Sequence, residues 1–480
     1  MVALASAALV GCRDVRPLRK RHLALLPADF RRGSLVVSEE GEHWAFVLPT
    51  REGERVVTRA GEQEPFPQVY RLWIAPKTGR VAYWVRQGVA RAGGVGLMAD
   101  GTLVSSGFAQ PGRMVFSKDG TRWATVNGTP STGSADTLQR GPVVVLADGR
   151  ELGRASDASM PAFSPDGKHL AYLVERPDGK VALVVDGVEH EPYKDADNSC
   201  TLVAKTSEVG PNLPPQFSVA YLSDGSLLVV AQDRDGWAVF RDRTRLASYP
   251  GSRPKARSAT QLALGGACAA AAMIVPDSIA LAAEAPAAAW WERLPGDAER
   301  WRVVVNGQPL DDTVCGGYWD DPTPEISADG KHLAYPCRSA DPRFPDRVFV
   351  VVDAHRYGPY RDVWSITFSS DAQHLAYDAS DGETELPWQL YLDGIPFPRR
   401  VHALWRPRIS ASNTLVAWEA LPAFGAKGIL GVNERRFTSF DDVLWGPTFS
   451  GPDVASWVIR HHKRVTRIDL PVRQGTIPSR

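Results

Sequence analysis

The side chains best suited to chemistry in this chain recur at fixed places in a repeated phrase. His43, His169, His332 and His374 each stand just before a Leu-Ala-Tyr or Trp-Ala-Phe triplet. Imidazoles serve as general bases and metal ligands, but a metal site needs its ligands within about 2.0–2.2 Å of one ion. One histidine per repeat spreads the four apart, so the spacing predicts a structural role. Asp195-Ala196-Asp197-Asn198 has the alternating oxygens that open a calcium loop, without its glycine or distal glutamate. Asp233-Arg234-Asp235-Gly236 reads as a hairpin turn, and His461-His462, inside a basic RHHKR run, reads as solvated. The chain holds no G-x-S-x-G elbow, no H-E-x-x-H, no P-loop and no G-x-G-x-x-G after a strand. No catalytic residue, metal ligand or cofactor is therefore expected. One further set is aromatic: Tyr70, Trp364, Trp405 and Trp445 each stand four residues before the apolar residue that opens a copy of the phrase.

What positions these residues is a repeat. Residues 163–187 read FSPDGKHLAYLVERPDGKVALVVDG, three Asp-Gly pairs with apolar runs between them. Pro-Asp-Gly and Asp-Gly give a tight hairpin its preset φ, its Asx hydrogen bond and a residue tolerant of positive φ. The pattern predicts strands over 161–164, 169–175, 180–185 and 188–193, a four-stranded antiparallel meander. The phrase returns as ISADGKHLAY at 326–335 and FSSDAQHLAY at 368–377, and more weakly as FSKDGTRWAT, VSEEGEHWAF, IAPKTGRVAY and ISASNTLVAW. Its serine-equivalent positions are 38, 75, 117, 164, 223, 327, 369, 410 and 450, with one long gap of 104 residues. That gap counts as two periods, with a degenerate copy placed at 262–275.

A period near 40 with four strands per unit predicts an all-β fold, a β-propeller of about seven to ten blades. One large ring or two smaller rings both fit that count. The last unit supplies three strands, ending at 465–470. Residues 22–30 are expected to add the outer strand, so that the N- and C-termini close the ring. The Ala-rich stretch 276–300, with Trp290-Trp291, reads as a long insertion between strands. The domain plan is a signal segment over 1–12, a basic segment over 13–34, repeats over 35–474 and a tail over 475–480.

The F-S-P-D-G-K-x-L-A-Y phrase resembles the WD-like repeat of TolB-type periplasmic propellers and of prolyl-oligopeptidase-like propeller domains. The resemblance spans nearly the whole chain and implies the fold. It implies the propeller half only, since nothing leaves room for an α/β-hydrolase domain. FSKDGTRW is similar to the Asp-box of sialidase-type propellers, with its spacing offset by one. On a propeller the four aromatics fall at the start of an innermost strand, near one mouth of the channel. There, with Arg406 and Arg408 or Asp442, they would hold a peptide or glycan. The alternative is a repeated packing knob between blades.

Composition narrows the function. With 55 basic and 55 acidic residues the formal charge is zero, and no long basic stretch lies beyond the first 35 residues. A nucleic-acid partner is not expected, because phosphate neutralisation needs a basic face. No run of 18 apolar residues suggests a membrane-spanning helix. Leu9-Val10-Gly11-Cys12 resembles the lipobox of bacterial lipoproteins, which implies lipidation of Cys12. No basic residue precedes the apolar run, and Arg13, Arg16, Arg19, Lys20 and Arg21 follow the cysteine. Of the remaining cysteines, Cys315 and Cys337 form the expected bridge, with four scattered buried thiols (Cys200 and Cys268 included) as the alternative.

The expected protein is a lipid-anchored envelope scaffold that binds another protein or an envelope glycan, its membrane attachment resting on Cys12. The rival readings are a propeller hydrolase or lyase working in the channel, and a cytosolic scaffold if the N-terminus is no signal.

Overall fold

The computed structural model describes residues 19–27, 29–31, 33–38, 40–88, 94–109, 111–129, 142–176, 180–190, 219–233, 236–250, 280–294, 300–310, 315–316, 324–339, 341–353, 355–382, 386–410, 416–433, 435–449 and 454–471. Cys12, Cys200, Cys268, the acidic cluster at 195–198 and the copy placed at 262–275 lie outside the described residues.

Every regular element described is a strand, and the strands form ten antiparallel sheets of the four-stranded propeller-blade type. Numbered along the chain, blades 1 to 10 cover 36–62, 69–108, 113–155, 162–189, 219–250, 280–316, 325–360, 362–401, 403–440 and 442–471. The chain divides into two compact units. Residues 27–363 carry seven blades, and residues 364–480 with the first 26 residues carry three. Blade 4 is the meander predicted from the Asp-Gly pairs: Ala162–Phe163, Leu170–Glu175, Val181–Val185 and Val188–Glu189. The N-terminal strand Arg19–Leu25 pairs antiparallel with Arg464–Pro471 as the fourth strand of blade 10. The two ends of the chain thus share a sheet, through a strand that starts three residues earlier than expected.

The strands can be apolar on both faces because both faces are covered. In Leu170–Glu175, Ala171 and Leu173 pack with Val219, Leu227, Val229, Ala238 and Phe240 of blade 5. The alternate residues Tyr172 and Val174 pack with Val145 of blade 3. Side chains alternate between faces with period two, so one strand feeds two inter-blade cores. The same arrangement joins blades 1 and 2, 2 and 3, 5 and 6, and 6 and 7, and in the other unit 8 and 9, and 9 and 10.

The Ala-rich stretch differs from expectation. Its described residues are not an insertion but blade 6 itself. Ala280–Leu281 and Ala288–Arg293 are its first two strands, and Trp290 and Trp291 are buried on opposite faces, toward blades 5 and 7. Alanines beside two tryptophans fill the same inter-blade space that mid-sized aliphatics fill elsewhere. The composition therefore hid a blade whose hydrogen-bond pattern is ordinary: Ala282 N–H bonds Ala287 C=O, as Ser327 N–H bonds His332 C=O. A short extra strand, Cys315–Gly316, pairs with Arg300–Val305, and Cys315 is disulfide-bonded to Cys337 of blade 7 across a Cα separation of 5.1 Å.

Candidate functional site

The chemically suggestive residues of the repeat turn out to hold its turns. In blade 4, Ser164 Oγ donates to Asp166 Oδ1 (2.6 Å) and accepts from His169 N–H (2.9 Å), while Lys168 N–H also donates to Asp166 Oδ1. The Ser164 hydroxyl, followed by the Lys168 backbone N–H, holds the Asp166 carboxyl down at about 2. The second Asp-Gly is a different device. Asp186 has φ 53° and Gly187 φ 81°, the two left-handed positions of a type I′ hairpin. Asp186 Oδ1 accepts from Leu170 N–H (2.8 Å), and its Oδ2 lies 2.7 Å from His169 Nδ1.

His332–Asp353 and His374–Asp393 repeat this pair at 2.8 Å each. Blades 2 and 3 carry arginine at the histidine's place, and the bond survives: Arg80 Nε to Asp100 at 2.7 Å and Arg122 Nε to Asp148 at 3.0 Å. A position that accepts histidine or arginine needs a donor, not a metal ligand or base. In blades 4, 7 and 8 the serine hydroxyl bonds an aspartate and a backbone amide, so Ser, His and Asp form no nucleophile–base relay. Among the described residues no group of three or more His, Cys, Asp or Glu is placed to hold a metal ion. At 233–236, Asp233 pairs with Gly236 across a hairpin.

The four equivalent aromatics have four different surroundings. Tyr70 packs against the core between blades 2 and 3, and Arg86 Nε donates to its hydroxyl at 3.1 Å. Trp364 is 47% exposed and leans on buried Trp388 with ring centroids 4.0 Å apart. Trp445 lies under the Arg467 guanidinium, 5.6 Å from its ring centroid. Trp405 lines a cleft of about 500 Å³ at the junction of blades 9 and 10. The structure brings Asp442 into that cleft with Trp405. Arg408 instead stays at the surface, bonding Pro407 C=O.

The cleft combines an aromatic wall with carboxylates. Trp405 and Phe440 line it together with Glu419, Asp441 and Asp442, and Lys427 is the lining cation. Glu419 is buried, in the strand Val416–Leu421, opposite Trp405. Lys427 Nζ lies 3.1 Å from Asp441 Oδ1 and 3.2 Å from His461 Nε2. The His462 backbone N–H, and then Lys427, hold the Asp441 carboxyl below its ordinary value. Arg460 reaches Asp442 at 3.6 Å. The His461 side chain is thus engaged rather than simply solvated, whereas the His462 side chain is exposed. Phe424, 88% exposed, stands on the loop that supplies Gly425, Ala426 and Lys427 to the cleft, its ring 5.5 Å from that of His402. Glu419, Lys427 and Asp441 do not stand out in the sequence because they lie at positions the copies do not share. The signal was a charge in VAWEAL, where other copies run VAYWVR or LAYLVE.

No protein-family model matches the chain, and no curated protein matches it. Among solved structures it is similar to a eukaryotic initiation factor, at 11% identity with a TM-score of 0.42 over 79% of this chain and 92% of that one. It is also similar to the β-propeller domain of the Trilobed protease from Pyrococcus furiosus, at 11% identity and a TM-score of 0.29 over 70% and 98% of the two chains. TolB from Acinetobacter baumannii matches at 12% identity and a TM-score of 0.22 over 83% and 82%. Likenesses at this level carry nothing about activity. The propeller assignment rests on the blade topology itself.

Proposed function

We propose that the protein is a non-catalytic binding platform of the cell envelope, lipid-anchored through Cys12, that holds a protein segment or envelope glycan in the blade 9–10 cleft. The observation that carries this is the lining, which brings Trp405 and Phe440 together with three carboxylates and one lysine. Such a lining offers a flat apolar face together with acceptors, which suits a ligand rich in N–H or O–H donors. The repeat's serines, histidines and aspartates are committed to turns, so the reading asks no chemistry of them. The Cys315–Cys337 bridge suits an oxidising compartment and supports the envelope location.

The test is a peptide and glycan array probed with the wild-type chain and with Trp405→Ala and Asp442→Asn. Both variants are expected to keep the wild-type circular dichroism and to lose the array signal. Array signals unchanged in both variants, or no ligand for the wild type, refute the cleft as the site. Mass spectrometry of the mature N-terminus tests the anchor separately: a diacylglyceryl group on Cys12 supports it, and an intact Met1 refutes it.

A further inference from the structure

The outer strand of blade 10 carries charge that the cleft does not use. Arg19–Leu25 is the edge of its sheet, and among the described residues its one strand partner is Arg464–Pro471. Arg19, Lys20 and Arg21 are all exposed. At the other end of the same strand the hairpin residues His462, Lys463 and Arg464 are exposed too, tied to it by the Leu26 N–H to Lys463 C=O bond of 2.7 Å. Leu25, 70% exposed, sits at that end beside Arg464. The acidic residue opposite Arg19 is Asp469, which already accepts from Ser456 Oγ at 2.7 Å and Arg467 Nε at 2.8 Å.

At a rise of roughly 3.3 Å per residue the strand spreads these groups over about 20 Å. Charged side chains, lysine above all, blunt an edge strand against pairing with another chain. Five Lys and Arg at the two ends, with an exposed leucine among them, exceed that need. They match the pattern by which a polybasic segment meets anionic headgroups while an apolar residue enters the interface.

We propose that this edge is a membrane-docking surface for anionic phospholipid. The edge goes beyond the envelope reading and is independent of the lipid anchor. The two would nevertheless cooperate. Cys12 lies seven residues before Arg19, a tether that reaches at most about 25 Å. A diacylglyceryl group already carries two acyl chains, so the basic edge would orient the protein on the surface rather than retain it there.

The experiment is co-sedimentation of the full chain carrying Cys12→Ser, so that no acyl group contributes. The vesicles are phosphatidylcholine alone or phosphatidylcholine mixed with phosphatidylglycerol. Binding is expected to the mixed vesicles only, and to weaken as salt rises. Replacing Arg19, Lys20 and Arg21 together by glutamine is expected to weaken it about a hundredfold, at about one kilocalorie per charge. Should that variant lose its fold by circular dichroism, Lys463→Gln with Arg464→Gln provides a second reading, with a loss of at least tenfold expected. Three results overturn the proposal: no binding to phosphatidylglycerol vesicles at low salt, equal binding by the wild type and folded variants, or equal affinity for a DNA duplex. An unmodified Cys12 in cells would count against the anchor and leave this edge standing.

Discussion

Replacing Asp393 by asparagine, glycine or alanine separates the two jobs assigned to the hairpin aspartate. Its backbone sits at φ 51°, ahead of Gly394 at φ 81°, and its N–H bonds Leu375 C=O at 2.9 Å. Its Oδ1 accepts from the N–H of Leu375, a residue only 4% exposed, at 2.8 Å, and its Oδ2 from His374 at 2.8 Å. Alanine removes the acceptor, leaving a buried N–H without that partner at a cost of about 1–3 kcal/mol. It also forces a Cβ-bearing residue without a local side-chain bond into the left-handed region, for about 1–2 kcal/mol more. Glycine loses the acceptor but keeps the backbone freedom. Asparagine keeps both the acceptor and the turn preference, and alters only the His374 contact, within about 1 kcal/mol on a partly exposed pair. The expected order of destabilisation is alanine, then glycine, then asparagine, read from urea unfolding followed by tryptophan fluorescence. Amide hydrogen exchange supplies the local readout, with Leu375 N–H losing protection in alanine and glycine but not in asparagine. Equal losses in all three, or alanine within about 0.5 kcal/mol of wild type, would show that the side chain does not hold the hairpin.

Glycine packing between blades gives a second test. A Cβ on Gly120 (φ +71°) would come within 1.7 Å of the Pro76 carbonyl oxygen of blade 2, whereas one on Gly149 (φ +82°) would meet nothing within 4 Å. Gly149→Ala should therefore cost about 1–2 kcal/mol of backbone strain. Gly120→Ala should cost clearly more in the same urea series, and equal costs would refute the close approach. A third test is acid stability. Asp119, Asp166 and Asp329 are each held at about 2, chiefly by the hydroxyls of Ser117, Ser164 and Ser327. A carboxyl lowered in the folded state stabilises above its unfolded value near 4 and loses that contribution as pH falls toward 2. Unfolding midpoints should therefore drop between about pH 4 and 2, and the slope should flatten when the three aspartates are replaced by asparagine. An unchanged slope would refute the role of these turns.

How much of the molecule was legible follows from what a repeat repeats. Asp166, Asp186 and their copies recur because each blade needs the same two turns, and turn chemistry is local. The backbone needs of a type I′ hairpin and of an Asx turn are met within a few residues, so the sequence shows them directly. Pairing of Arg19–Leu25 with Arg464–Pro471 was legible too, since a last unit one strand short calls for a strand from elsewhere. Blade 6 was not legible, because Ala280, Ala288 and Ala289 leave volume that Trp290 and Trp291 fill from the same strand system. Volume conservation across a strand pair does not appear as a motif.

The candidate site failed to appear for the opposite reason. Trp405 shares its position with Tyr70, Trp364 and Trp445, yet those three pack on a blade core, on Trp388 and under Arg467. What makes Trp405 different is supplied by unshared neighbours: Glu419 where blades 2 and 4 carry Trp84 and Leu173, Lys427 on its own loop, and Asp441 at the blade boundary. A repeat can vary only where its turns and inter-blade cores do not constrain it. Departures from the phrase at buried positions are therefore the places to look for function. Asp378 meets that criterion at the strand position of blade 8 that Glu419 occupies in blade 9, and both are buried. Two adjacent blades of the same unit thus depart from the repeat at one position by the same chemistry, a carboxylate in an apolar strand. Retaining a buried carboxylate costs stability that an aliphatic residue would not. Asp378 and Glu419 are accordingly the positions at which substitution should separate a stability cost from a binding role.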